Sequence, residues 1–359
     1  MNTTTDRQNA MQDSAFQEAF AALLKGQFPT QHQAHLHYFS TAIDESFDAA
    51  SFAENLVCDG GIDDDLYPLP HDTIPAALKT LYKADNLFAS DTYEGPGQAY
   101  ALCHFAMPAY WLNDPNQAGT RLLSEVYRSI NAMGAKPRAH MIRVSLGNDL
   151  ADNKHIAALL HSIDNSADAL DLPAVDKGIA LKFDCPSVKI DIFAIGTFDN
   201  GITPLPQNFT AEDQHIYVLG REHGHLGLSA FINDLHGSNN GDLPHTDLLR
   251  ETQLSAFIHE AHRAGYLTAA RSVSIGGIGL ALADMAMPAG IGASVGGIGN
   301  ASFWYGEDQA RYVVTINTAE MAKFEVLAMD HGISLLEIGN SEEDELSFNN
   351  QKIHLDDLK

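Results

Sequence analysis

Cysteine, positive charge and long apolar runs are all scarce in this chain. The three cysteines among 359 residues, Cys58, Cys103 and Cys185, are odd in number and far apart. That excludes a disulfide framework and a closely spaced thiolate metal motif, and it suits a reducing compartment, the cytoplasm. No stretch reaches the roughly 18 consecutive apolar residues that read as a membrane span. The start, Met1-Asn2-Thr3-Thr4-Thr5-Asp6-Arg7, is polar and lacks the apolar core of a secretory signal. Only 21 Lys and Arg oppose 47 Asp and Glu, a formal charge of −26. Such a surface repels nucleic acid and anionic membranes, so neither is expected as a partner. An anionic nucleotide would need a local basic or glycine-rich pocket. The Gly-x-Ser-x-Gly elbow of a serine hydrolase is also missing.

What is present points to a folded chain of two domains. Hydrophobic residues make up 45% and charged residues 19%, a globular balance, and the length favours two cores over one. Residues 1–75 read as an N-terminal extension. Ser14 to Lys25 has Phe16, Phe20, Leu23 and Leu24 at helical spacing; His32, His35 and His37 follow. The segment Asp59-Gly60-Gly61-Ile62-Asp63-Asp64-Asp65 is an acidic loop without the spacing or terminal Glu of a calcium-binding hand. Pro68, Pro70 and Pro75 mark a linker or extended run.

Residues 76–205 form the first expected domain, with strands at Tyr100–Phe105, Ala139–Val144 and Val188–Phe198 and helices at Ala118–Met133 and Lys154–Ala169. Thr203-Pro204-Leu205-Pro206 marks the boundary. The second domain, 206–345, is expected to hold strands at 216–219, 311–316 and near 333–337, with helices at 247–265 and 277–286. Gly290 to Gly299 reads as a flexible loop. The chain from Ser341 onward is charged and reads as partly mobile, with 346–359 as a tail. The expected class is mixed α/β (α+β), not a doubly wound sheet.

Two motifs carry the chemistry. In Ala269-Ala270-Arg271-Ser272-Val273-Ser274-Ile275-Gly276-Gly277 a short strand meets a glycine pair and then an apolar helix. The pair allows close backbone approach and the helix start suits phosphate, although such pairs also serve as turns and packing points. The second motif is Phe303-Trp304-Tyr305-Gly306-Glu307-Asp308-Gln309-Ala310-Arg311, running into the strand Tyr312-Val313-Val314-Thr315-Ile316. Among the 17 histidines, Glu222-His223-Gly224-His225 could present two imidazoles, but no third metal ligand lies at short spacing. His259 and His262 are three apart on a helix and share a face.

The order of these two motifs resembles the C-terminal domain of the aminoimidazole ribonucleotide synthetase superfamily, and within it the second half of the phosphoribosylformylglycinamidine synthase family. Further resemblances lie upstream, in Asp85-Asn86, Gly95-Pro96-Gly97-Gln98-Ala99, Ala132-Met133-Gly134-Ala135-Lys136-Pro137 and Gly224-His225-Leu226-Gly227-Leu228-Ser229. The resemblance implies two synthetase-type α/β domains and an ATP-dependent carbon–nitrogen ligase of purine biosynthesis. In that reaction ATP activates the amide oxygen of formylglycinamide ribonucleotide, and ammonia from a separate glutaminase displaces phosphate. The family holds magnesium through carboxylates, because a hard cation takes oxygen ligands, and phosphoryl transfer is mostly positioning and charge neutralisation.

This chain departs from that pattern where the acids belong. Gln98 stands in the "Pro-Gly-Gly-Asp-Ala" turn, Ile142 at the Asp of the next strand, Arg271-Ser272 in place of His-Asp, and Ile275 before Gly276. No metal ligand set is therefore expected, and a standard magnesium site is not. The positions left to bind ATP or ADP phosphates are Arg143, Gly147, Asn148, Lys177, Arg271, Ser274, Gly276 and Gly277. Glu307, Gln309 and Arg311 read as motif scaffold. Arg143, Lys177 and Arg271 would either face phosphate directly or form salt bridges with an acidic surface. A lone second half would expose the docking sheet through which the family's halves meet, so a homodimer or a heteromer with a catalytic half is expected. The alternatives are a non-catalytic nucleotide- or protein-binding scaffold, and a free-standing enzyme with altered ATP chemistry.

Overall fold

The computed structural model describes residues 73–82, 88–95, 98–146, 155–181, 188–296, 300–349 and 351–358. The expectations for residues 1–72, and for Gly147 and Asn148, lie outside the described residues. Two units form, each with its own sheet. One contains the described residues of 88–131 and 135–204; the other contains 73–82, 132–134 and the described residues from 205 onward.

The first unit is a five-stranded sheet in the order β1-β2-β5-β3-β4. Its strands are β1 (Phe88–Gly95), β2 (Gln98–Ala106), β3 (Lys136–Leu146), β4 (Ala174–Leu181) and β5 (Lys189–Thr197). All neighbours are antiparallel except β3 and β4. The sheet is thus mixed, as expected, and not doubly wound. Helices α1 (Ile74–Tyr82, in the second unit), α2 (Pro115–Ala132) and α3 (Ile156–Leu170) complete the N-terminal half of the chain. Proline fits the first turn of α2, where no internal N–H partner is needed. Leu122, Leu123, Val126 and Ile130 bury the predicted apolar stripe. Gly119 lets α2 meet α3: a Cβ there would lie 1.8 Å from the Ser162 hydroxyl.

The opposite face of α2 carries charged residues. Arg121, Glu125 and Arg128 have the spacing of a solvated face, yet all three are fully buried. Glu125 pairs with Arg121 at 3.2 Å and with Arg128 at 2.7 Å. The Arg121 guanidinium also lies 4.0 Å over the Trp111 ring, a cation–π contact strengthened by desolvation.

The second unit is a seven-stranded sheet, β12-β11-β8-β10-β6-β9-β7. The strands are β6 (His215–Leu219), β7 (Leu267–Ser272), β8 (Gly292–Val295), β9 (Tyr312–Ile316), β10 (Leu335–Glu342), β11 (Glu345–Phe348) and β12 (Gln351–His354). Helices α4 (Leu248–Arg263), α5 (Gly277–Ala289), α6 (Ala301–Tyr305) and α7 (Met321–Asp330) accompany them. Alternation sorts side chains to the two faces. Ile216, Val218 and Val313 join the core that includes α1, α5 and α6 residues, while Tyr217, Leu219, Tyr312 and Val314 join the core that includes α4 and α7 residues.

Three expectations are corrected here. Pro75 does not lie in an extended linker: it occupies the first turn of α1, where proline is tolerated. The Gly290–Gly299 stretch is not simply a flexible loop, because β8 forms inside it. Ala293 and Val295 are core residues, and Gly292 has no Cβ to meet the Glu345 carbonyl, which would lie 1.9 Å away. The chain beyond Ser341 is not a loose tail either: β11 and β12 extend the sheet, and Leu346, Phe348, Ile353, Leu355 and Leu358 are buried. Its charges stand between apolar residues that alternate at strand spacing, and burial of the latter decides the fold.

Candidate functional site

β7 ends at Ser272 and α5 begins at Gly277, so the glycine motif is the turn between strand and helix. Gly276 and Gly277 both have left-handed φ, +73° and +64°, which glycine adopts without steric cost. A Cβ on Gly277 would also sit 2.7 Å from the Trp304 and Gly306 carbonyl oxygens. The glycine pair therefore lets α5 pack onto the segment that carries the second motif.

That second motif fastens the turn. Glu307 is fully buried. One carboxylate oxygen, Oε1, accepts the Gly276 N–H at 2.9 Å and the Ala230 N–H at 2.8 Å. The Glu307 N–H donates to the His225 carbonyl at 2.9 Å, and the Gln309 side-chain amide donates to the Glu307 carbonyl at 2.9 Å. Asp308 grips the loop before α4: its Oδ2 accepts from the His223 and Gly224 amides at 2.8 and 2.9 Å, and Oδ1 from His225 at 3.3 Å. Buried Arg311 donates to the same Oδ2 at 3.0 Å, and its carbonyl receives the Val273 N–H at 2.9 Å. Ala310 donates to buried Glu251 of α4 at 3.0 Å. Residues 306–311 thus tie together the 223–230 loop, the 273–277 turn and α4.

The positions singled out in the sequence fall into three groups. Glu307, Gln309 and Arg311 converge on this hub. Arg271, Ser274, Gly276 and Gly277 lie in the adjoining turn. Its amides are largely engaged: Gly276 donates to Glu307, and Gly277 to the Ser274 carbonyl at 3.1 Å. Arg271 donates to Asp284 of α5 at 2.5 Å. Burial raises the pKa of the nearby Tyr82 hydroxyl; Asp284 adds to the rise and Arg271 opposes it. The Ser274 hydroxyl is buried with no hydrogen-bond partner among the described residues. Arg143 and Lys177 lie in the first unit on neighbouring strands β3 and β4. The register pairs Ile142 with Lys177 and Arg143 with Gly178, so the two cations are not cross-strand partners. Ile142 is a fully buried core residue.

Asp308, Asp284 and Glu251 hold the arrangement but did not stand out in the sequence. Asp308 lies between Glu307 and Gln309, two of the positions read as motif scaffold; its one sequence signal is the arginine three residues on. The histidine pair is also spoken for in part: His225 Nε2 lies 2.7 Å from the Asp242 carbonyl. Among the described residues no group of three His, Cys, Asp or Glu side chains sits together as a metal cage. Burial raises the Glu222 carboxyl, Arg311 and His223 oppose that, and Asp308 reinforces it.

Comparison with known proteins gives the arrangement a context. The family model described as AIR synthase related protein, N-terminal domain, matches residues 95–198. The PurL subunit of phosphoribosylformylglycinamidine synthase from Azorhizobium caulinodans is 31% identical over 269 residues, covering 72% of this chain and 36% of the relative. The chain resembles the PurL and AIR synthase superfamily. It spans little more than a third of the length of that curated relative. T. maritima PurL complexed with FGAR has the same fold, with a TM-score of 0.63 at 14% identity, over 79% of this chain and 52% of that one. T. maritima PurL complexed with ATP gives a TM-score of 0.59 at 15% identity, over 75% and 46%. The mixed α/β class expected from the sequence agrees with both. No helix among the described residues is long and apolar enough to cross a membrane.

Proposed function

We propose that the protein is a phosphoribosylformylglycinamidine synthase-like component of purine biosynthesis. It corresponds to the second half of the long enzyme and has weak or no ATP-dependent ligase activity of its own. The observation that carries this reading is how the carboxylates around the glycine turn are spent. Glu307 holds two backbone amides, Asp308 holds three amides and Arg311, and Asp284 holds Arg271. Each of the three is thus engaged in holding the scaffold, and Ile142, one of the positions where the resemblance leads one to expect an acid, is buried.

Any ATP or ADP is then held without a metal. Arg143 and Lys177 of the first unit supply positive charge to the phosphates; Ser274 is a separate donor candidate, confined to the second unit. Arg271, Gly276 and Gly277 we assign to the scaffold, because the two glycine amides and one guanidinium nitrogen of Arg271 already have partners. Gly147 and Asn148 follow β3 in the chain and stay candidates by resemblance. The protein works in the cytoplasm as a homodimer or with a catalytic half that carries the missing acids. A purely non-catalytic scaffold is the second reading, favoured by the Arg271–Asp284 pair, which neutralises the charge nearest the turn.

The direct test supplies the purified chain alone with magnesium, ATP, ammonium and formylglycinamide ribonucleotide, and follows phosphate release. The expected rate is indistinguishable from the no-enzyme control. Turnover near the roughly 10 s⁻¹ typical of enzymes would overturn the reading.

A further inference from the structure

The second unit contains a cavity of about 670 Å³ that the glycine turn does not use, within the range of small-molecule sites. It lies where the loop after β6, the start of α4 and the loop before β10 meet. Two arginines line it in a chain whose formal charge is −26. Arg221 and Arg250 both line it, with the imidazoles of His223 and His245. Neither arginine has an ion-pair partner among the described residues; Arg250 donates only to the Gln253 side chain, at 3.3 Å.

Two carboxylates also line the cavity, and both are committed. Asp247 caps α4, accepting from the Leu249 and Arg250 amides at 3.0 and 3.2 Å. Asp308 is held by three amides and Arg311. The two guanidinium groups are therefore the cavity's cations without an ion-pair partner among the described residues. A second, independent feature is Gln309. Its side chain is 8% exposed, it lines the cavity, and its Oε1 has no hydrogen-bond partner among the described residues. A buried acceptor left unpaired is costly, and a ligand hydroxyl would satisfy it.

We infer that this cavity binds a small phosphate monoester that also carries hydroxyl groups. Arg221 and Arg250 grip the phosphate, which suits the forked geometry of guanidinium, and Gln309 accepts from a hydroxyl. The site involves none of Arg143, Lys177, Arg271 or Ser274, so it stands apart from the proposed function and does not depend on it.

Calorimetric titration of the full chain with glycerol 3-phosphate, against inorganic phosphate as comparator, tests the inference. Glycerol 3-phosphate is expected to bind, and more tightly than phosphate. Arg221→Ala and Arg250→Ala are each expected to weaken both by at least tenfold. Arg250→Lys, which keeps the charge without the fork, should fall between, and Arg271→Ala should leave binding unchanged. Both cavity arginines sit at the surface of the cavity, and unchanged melting temperatures would show that the variants fold. The inference is overturned by no saturable binding, by unaltered affinity in both alanine variants, or by equal loss in Arg271→Ala. Equal affinity for the two probes would overturn the role given to Gln309.

Discussion

Replacing Asp308 with alanine is expected to be the most damaging single change in the second unit. The carboxylate accepts from three consecutive backbone amides and from the buried Arg311 guanidinium. Removing one partner of a buried ion pair costs about 3–5 kcal/mol, because an uncompensated charge is left behind. Loss of the amide bonds adds to this where water cannot replace them. Urea unfolding should show a loss of at least about 3 kcal/mol. Asp308→Asn keeps one acceptor oxygen and the shape but not the charge, and should recover part of the loss. A fall below about 1 kcal/mol in Asp308→Ala, the scale of an ordinary surface pair, would mean that the 223–225 loop does not depend on this side chain.

Glu307→Ala is the second large effect. Its Oε1 serves the Gly276 and Ala230 amides together, and the side chain is fully buried. Two amides left unpaired at about 1–3 kcal/mol each predict a loss of about 2–6 kcal/mol. Glu307→Gln retains an oxygen in the same place and should cost much less. The contrast is the informative reading: a cavity alone would make alanine costly, whereas acceptor loss also predicts rescue by glutamine. Amide hydrogen exchange gives an independent check, since the Gly276 and Ala230 amides should lose protection in Glu307→Ala and keep most of it in Glu307→Gln.

These two side chains also show what could be read from the chain directly. Periodicity placed β2, β5, β6 and β9 and helices α2, α3, α4 and α5 near their observed positions, because each buries a face at its own period. The order of the two glycine-containing motifs pointed to the superfamily. Three features resisted. The Ser341–Lys359 segment looked like a tail because its acids outweigh its apolar residues in number, yet Leu346, Phe348 and Ile353 fall at strand spacing. The buried Arg121–Glu125–Arg128 set on α2 has the same spacing as a solvated face, and only tertiary packing tells the two apart. The roles of Asp308 and Asp284 depend on contacts across 83 to 85 residues of sequence and across 13. Of the candidate site, the glycine pair was legible as a residue pattern; that its Gly276 amide is already occupied by Glu307 was not.

The decisive measurement is calorimetric titration of the purified chain with ATP and ADP, with magnesium and with EDTA. A site that relies on Arg143 and Lys177 instead of a metal predicts the same affinity in both buffers, and weaker binding in Arg143→Ala. Nucleotide binding that appears only with magnesium would contradict the account, because it requires a carboxylate cage the chain is here held to lack. Absence of binding in either buffer would contradict the nucleotide-holding role itself.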